Sequence, residues 1–124
     1  MRRCFARCCV VATAVGAALL PQIAMAEGFK PVRSEQTFES LVEGRDLRRF
    51  GITLQVRGDG LIEGRALGRE VTGAWRWKDG YFCREMAWGS RELDPNCQAV
   101  LFDGRSLRFV ADQGEGDSAD LRLD

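Results

Sequence analysis

Val71-Thr-Gly-Ala-Trp-Arg-Trp-Lys-Asp-Gly-Tyr-Phe-Cys-Arg-Glu-Met-Ala-Trp88 decides the fold. Asp79-Gly80 tolerates positive φ at both positions and is a strong hairpin signal between two alternating runs. A two-residue turn there sets Trp77 against Phe82, Trp75 against Arg84, Gly73 against Met86 and Val71 against Trp88. Cross-strand partners face the same side, so one face of the hairpin collects nearly all its large apolar residues. The same face also receives Arg84. Its neighbour Cys83 faces the opposite way.

The pattern repeats outward. Asp59-Gly60 and Asp103-Gly104 mark two more hairpins. Phe50, Ile52, Leu54 and Val56 alternate with polar residues or glycine, the period of a half-buried strand. Reading Gly58-Asp59-Gly60 as a three-residue loop pairs Val56 with Ile62, Leu54 with Gly64 and Ile52 with Ala66, whereas a two-residue loop would set Val56 against Glu63. Gly64 and Ala66 would then leave room for Trp75 and Trp77, as small barrels mix small and large residues inside. A two-residue turn at Asp103-Gly104 pairs Val100 with Leu107 and Gln98 with Phe109. Expected strands are 48–57, 61–67, 71–78, 81–88, 97–102, 105–111 and 118–123. The predicted fold is mainly β: an antiparallel up-and-down meander of about seven strands, a small barrel or curled sheet, with one short N-terminal helix. That helix starts at the cap Ser34, carries Phe38, Leu41 and Val42 on one face, and stops at Gly44.

Residues 1–26 read as an export signal: a basic start, the apolar run from Val10 to Leu20, and small residues at Ala24 and Ala26 before Glu27. The run is too short for a permanent membrane anchor. Residues 27–124 then form one small β-barrel-like domain, periplasmic or secreted after cleavage near Ala26. The 124-residue chain has 18 basic and 18 acidic residues. Removal of Arg2, Arg3 and Arg7 leaves a net charge of −3, which argues against nucleic acid as a partner. The sequence contains no histidine, which excludes Ser-His, Cys-His and His-metal chemistry. Cys4, Cys8 and Cys9 leave with the signal; Cys83 and Cys97 remain, and a disulfide between them is the expectation in an oxidising compartment.

Arg84 is the informative residue. A cation on an aromatic face must be satisfied, either by stacking on Trp75 or pairing at the barrel mouth, or by a ligand. The candidate ligand-binding set is Arg84, Trp75, Trp77 and Gln98. The glycine-rich acidic segment Asp112-Gln-Gly-Glu-Gly-Asp-Ser118 matches neither the EF-hand spacing nor the repeated nonapeptide calcium pattern and reads as a connecting loop. No catalytic residue, metal site or cofactor is expected, and Arg84, Glu85 and Asp94 are the only candidates for an enzymatic reading. The expected function is a non-catalytic periplasmic binding or interaction module for a small ligand or an envelope protein. The alternative is a protein inhibitor or envelope-interaction factor acting through the Gly89–Asn96 loop.

The stretch Val71–Arg84, with Trp88-Gly89, Asn96-Cys97-Gln98 and Asp112–Ala119, resembles a family of small exported bacterial β-rich proteins, some of which carry the name dihydrodipicolinate reductase. The resemblance covers most of residues 27–124. It implies an exported domain and no established site residues. The enzyme of that name is a two-domain cytoplasmic protein with a dinucleotide fingerprint and a histidine-containing catalytic motif, and this sequence has neither motif.

Overall fold

The computed structural model describes residues 13–17 and 28–124. Apart from residues 13–17, the proposed export signal and its cleavage site lie outside the described residues. Among the described residues ten strands form one antiparallel sheet: β1 (Lys30–Val32), β2 (Leu47–Arg49), β3 (Ile52–Val56), β4 (Leu61–Ala66), β5 (Arg69–Lys78), β6 (Tyr81–Trp88), β7 (Arg91–Glu92), β8 (Asn96–Phe102), β9 (Ser106–Val110) and β10 (Ser118–Leu123). Eight of them, in the order β8-β9-β10-β2-β3-β4-β5-β6, close into a barrel through a β6–β8 pairing. β1 and β7 add to the outside of β8 and β6, inside segments expected to be an extended lead-in and a loop.

The expected registers of the first two hairpins hold. Val56 faces Ile62 and Leu54 faces Gly64, while Trp75 faces Arg84 and Trp77 faces Phe82. Three expectations need correction. The strand drawn over 48–57 is two strands: the chain reverses at Phe50-Gly51, where Gly51 takes φ 71°, and Phe50 stands 96% exposed at the hairpin tip. The third hairpin is shifted by two residues, so Val100 faces Phe109 and Phe102 faces Leu107. The cause is the Asp103 carboxylate, whose Oδ1 accepts from the backbone N–H of Arg105 at 2.9 Å and Ser106 at 2.6 Å. Asp103 therefore opens the turn, and Gly104 with φ 95° takes the first central position. Finally, the room at Gly64 is not filled by indoles. A Cβ on Gly64 would meet the Thr53 carbonyl and lie 2.9 Å from the Leu54 Cα, so the glycine admits the backbone of β3 itself.

The helix α1 (Glu35–Val42) forms as its sequence dictates. The Ser34 side chain accepts from the Thr37 N–H at 3.2 Å, and Gly44 leaves the helix with φ 69°. Phe38 and Val42 are fully buried. Phe38 enters one end of the barrel, where its ring lies 5.3 Å from Trp75, 5.2 Å from Trp77, 5.1 Å from Phe82 and 6.4 Å from Phe109. Cys83 and Cys97 are register partners on β6 and β8 and form a disulfide with an S–S distance of 2.06 Å across the closing seam.

Several outward carboxylates are paired with arginines. Arg108 Nε and Nη2 donate to the two oxygens of Asp120 at 2.7 and 3.0 Å, and Arg122 does the same to Asp124 at 2.9 and 3.0 Å. The hydrogen bonds from Arg108 and Arg122 hold Asp120 and Asp124 below the usual carboxylate pKa. Asp103 is lowered by its backbone donors, first Ser106, and Asp46 by the Gln55 amide.

Two expectations follow. The disulfide closes a loop with a sequence separation of 14, and joint replacement Cys83→Ser/Cys97→Ser is expected to lower unfolding stability. The loss should be about 3 kcal/mol by urea titration; an unchanged midpoint would contradict this. The four carboxylates with lowered folded pKa give stability that is complete above the unfolded value of about 3.9 and is lost as pH falls through their folded values. The urea midpoint should therefore hold between about pH 5 and 8 and drop below about pH 4, and a midpoint rising on acidification would disprove it.

Candidate functional site

α1 fills only one end of the barrel. Beyond Phe82 and Phe109 the interior opens into a cavity of about 340 Å³. Its apolar wall includes Leu54, Val56, Ile62, Met86 and Leu121, all inward members of their strands. Asp117, Ser118 and Ala119 border it at the start of β10, and Arg84 and Gln98 stand on the wall of β6 and β8.

Two of the four candidate ligand-binding residues, Arg84 and Gln98, therefore come together at this cavity. Gln98 is half-buried and faces Phe82 across the β6–β8 seam. Trp75 and Trp77 belong to the plugged end. Trp75 is 7% exposed, packs edge-on against Phe38, and spends its indole N–H on the Arg57 carbonyl at 2.7 Å. Trp77 stacks on the same ring. The third tryptophan, Trp88, donates to the Ala66 carbonyl at 2.7 Å and carries the Arg69 guanidinium 4.7 Å above its ring.

Arg84 occupies the fork where β8 leaves β6 and β7 begins. Its Nη1 donates to the Asp94 carbonyl at 2.7 Å. Its Nε is buried and has no hydrogen-bond partner. No carboxylate lies within 4.0 Å of it among the described residues. Burial accordingly pulls the guanidinium pKa below the usual arginine value, though arginine stays charged at neutral pH. Arg84 also borders a second hollow, about 270 Å³, together with its register partner Trp75 and with Ala74, Glu85 and Pro95, so its side chain stands in the seam of the wall.

The enzymatic candidates do not converge. Glu85 faces Ala74 on the outward side of β6, away from the cavity, and Asp94 meets Arg84 through its backbone carbonyl. Among the described residues no group of three or more Cys, Asp or Glu side chains is placed to hold a metal ion.

One feature of the rim escaped the sequence reading. Residues 111–114 form a short turn, α2 (Ala111–Gly114), in which Asp112 (φ 54°, ψ 48°), Gln113 (φ 56°, ψ 31°) and Gly114 (φ 99°) all lie in the left-handed region. Asn96 holds it from both sides: Nδ2 donates to Asp112 Oδ1 at 2.8 Å, and Oδ1 accepts from the Asp112 N–H at 3.0 Å. The available signal was the run of glycine and Asp/Asn-like residues, which tolerate this conformation, but the clamp spans 16 positions and is invisible to local spacing. No protein-family model, curated protein or solved structure matches the chain.

Arg84→Met keeps the aliphatic stem and removes both the orphaned Nε and the Nη1 hydrogen bond to the Asp94 carbonyl. The relief of the one offsets the loss of the other, so the unfolding free energy should stay within about 1 kcal/mol of the original. A loss above about 2 kcal/mol in urea titration would show that the guanidinium is a structural strut.

Proposed function

We propose that the protein is a non-catalytic binding module of an exported compartment, and that it takes a small, mainly apolar ligand into the cup above Phe82 and Phe109. The observation that carries this reading is the cavity of about 340 Å³, closed at one end by α1 and lined mainly by apolar side chains, with Arg84 and Gln98 on one wall and Asp117 and Ser118 at the start of β10. That size and composition are typical of small-molecule sites, where apolar surface supplies affinity and a few polar groups set orientation. Binding is the favoured reading because most of the cup's lining is apolar, the composition of a ligand pocket.

The exported location rests on the grammar of residues 1–26 and is supported by the Cys83–Cys97 bond, which suits an oxidising compartment. The resemblance to small exported proteins points the same way and names no ligand. The Gly89–Asn96 segment, the surface considered for an inhibitor, is bound back onto the barrel: β7 pairs with β6, and the Leu93 N–H donates to the Met86 carbonyl at 2.9 Å. Nothing about it favours the inhibitor reading over the cup.

The test is titration of isotopically labelled protein with cyclohexanol, 1-octanol and octanoate, followed by NMR. Amide shifts should gather at Leu54, Met86, Gln98 and Ala119 and leave outward Ala74 unmoved. Filling the cup with Ala119→Phe should abolish them. Absence of saturable shifts with every probe would remove this function.

A further inference from the structure

We infer that the ligand of the cup is a single-chain amphiphile with a carboxylate head, anchored by the Nε/Nη2 edge of Arg84; this rests on the binding reading above.

The argument starts from how this protein uses its own guanidinium groups. Arg108 and Arg122 each present Nε and Nη2 as a fork to the two oxygens of one aspartate. Such paired, charge-assisted bonds are the strong and geometrically selective ones. Arg84 is different. Its Nη1 is committed to the Asp94 carbonyl, which leaves the Nε/Nη2 side as the remaining donor edge, and Nε is unsatisfied. The donor set that elsewhere in the molecule takes a carboxylate thus has no carboxylate partner on Arg84, a residue that lines the cup.

The rest of the cup fixes the other end of the ligand. Opposite Arg84 the wall is aliphatic, from Leu54, Val56, Ile62 and Leu121, apart from Asp117 and Ser118 at the start of β10. A second carboxylate on the ligand would meet the like charge of Asp117, and polar atoms set against the aliphatic side chains would stay unpaired. Gln98, beside Arg84, supplies an amide donor to the same head. The cavity volume of about 340 Å³ lies within the range of small-molecule sites. Short to medium unbranched chains fit that volume, and long ones would have to emerge at the mouth. A planar fork discriminates a carboxylate from a neutral hydroxyl of similar shape, and repels a cationic head outright.

Calorimetric titration of the full protein at neutral pH with octanoate, 1-octanol and octyltrimethylammonium tests the assignment. Octanoate should bind about tenfold or more tightly than octanol, and the ammonium should not bind. In Arg84→Met, octanoate should fall to the level of octanol while octanol stays within about twofold of its original affinity; Arg84→Lys, which keeps charge without the fork, should lie between. Equal binding of octanoate and octanol by the unaltered protein would overturn the carboxylate assignment and leave the cup intact as a binding site. Failure of all three to bind would overturn both. The comparison of ligands on the unaltered protein decides the matter even where a variant does not fold.

Discussion

The barrel depends on one ring. Phe38 stands at the centre of an aromatic cluster with Trp75, Trp77, Phe82 and Phe109, and no part of it reaches solvent. A domain this small has little core to spare, and a buried phenylalanine contributes about 1.5–3 kcal/mol by its transfer from water alone. The ring also performs a geometric task. β5, β6 and β9 bring their inward aromatics to the same depth, and the helix supplies the piece that fills the space between them. The strand sequences need a plug, and the segment Ser34–Gly44 provides it.

Because α1 fills one end, the molecule has two unlike halves. At the plugged end, the Trp75 indole N–H finds a backbone partner and the Asp79-Gly80 turn adopts the left-handed values that Asp-Gly favours. At the other end, aliphatic side chains line a space that no side chain occupies. The closing seam runs between these halves. Phe82, Cys83 and Arg84 on β6 face Gln98, Cys97 and Asn96 on β8, and each pair does a different thing. Phe82 belongs to the core, Cys83–Cys97 fastens the closure, and Arg84 with Asn96 borders the mouth.

Much of this was legible in the sequence, and its limits have a physical cause. Alternation distinguishes loops of odd from even length, because a slip of one residue turns every side chain to the wrong face. That is why Gly58-Asp59-Gly60 could be read as three residues. A slip of two residues keeps every face, so nothing in the pattern of Val100, Leu107 and Phe109 could choose between the expected and observed registers. Asp103 made the choice by bonding to its own turn. Phe50 illustrates the same blindness. It continues the alternation of Ile52, Leu54 and Val56 without a break, yet the chain reverses at Gly51 and carries the ring into water. For the site, Arg84 and Gln98 could be placed on an inward face from register alone. How far down the barrel Trp75 and Trp77 would sit could not, since depth depends on where the helix enters.

The departures from good local chemistry are not spread evenly. Among the described residues four other than glycine have positive φ, and Asp79 is the one at the plugged end, where its turn type calls for it. Leu67, Asp112 and Gln113 lie toward the open end, and left-handed geometry costs ordinary residues about 1–2 kcal/mol each. The buried donor without a partner, Arg84 Nε, is there too, and leaving such a group unsatisfied costs about 1–3 kcal/mol. So is the unfilled interior, which longer side chains at Ala119 or Leu54 could have closed. Foldable sequences satisfy their local rules nearly everywhere, and the places where several are broken together are the places where something other than stability is being served. In this protein the strained turn, the orphaned guanidinium and the cavity surround one opening, whereas the helix-plugged end breaks none of those rules.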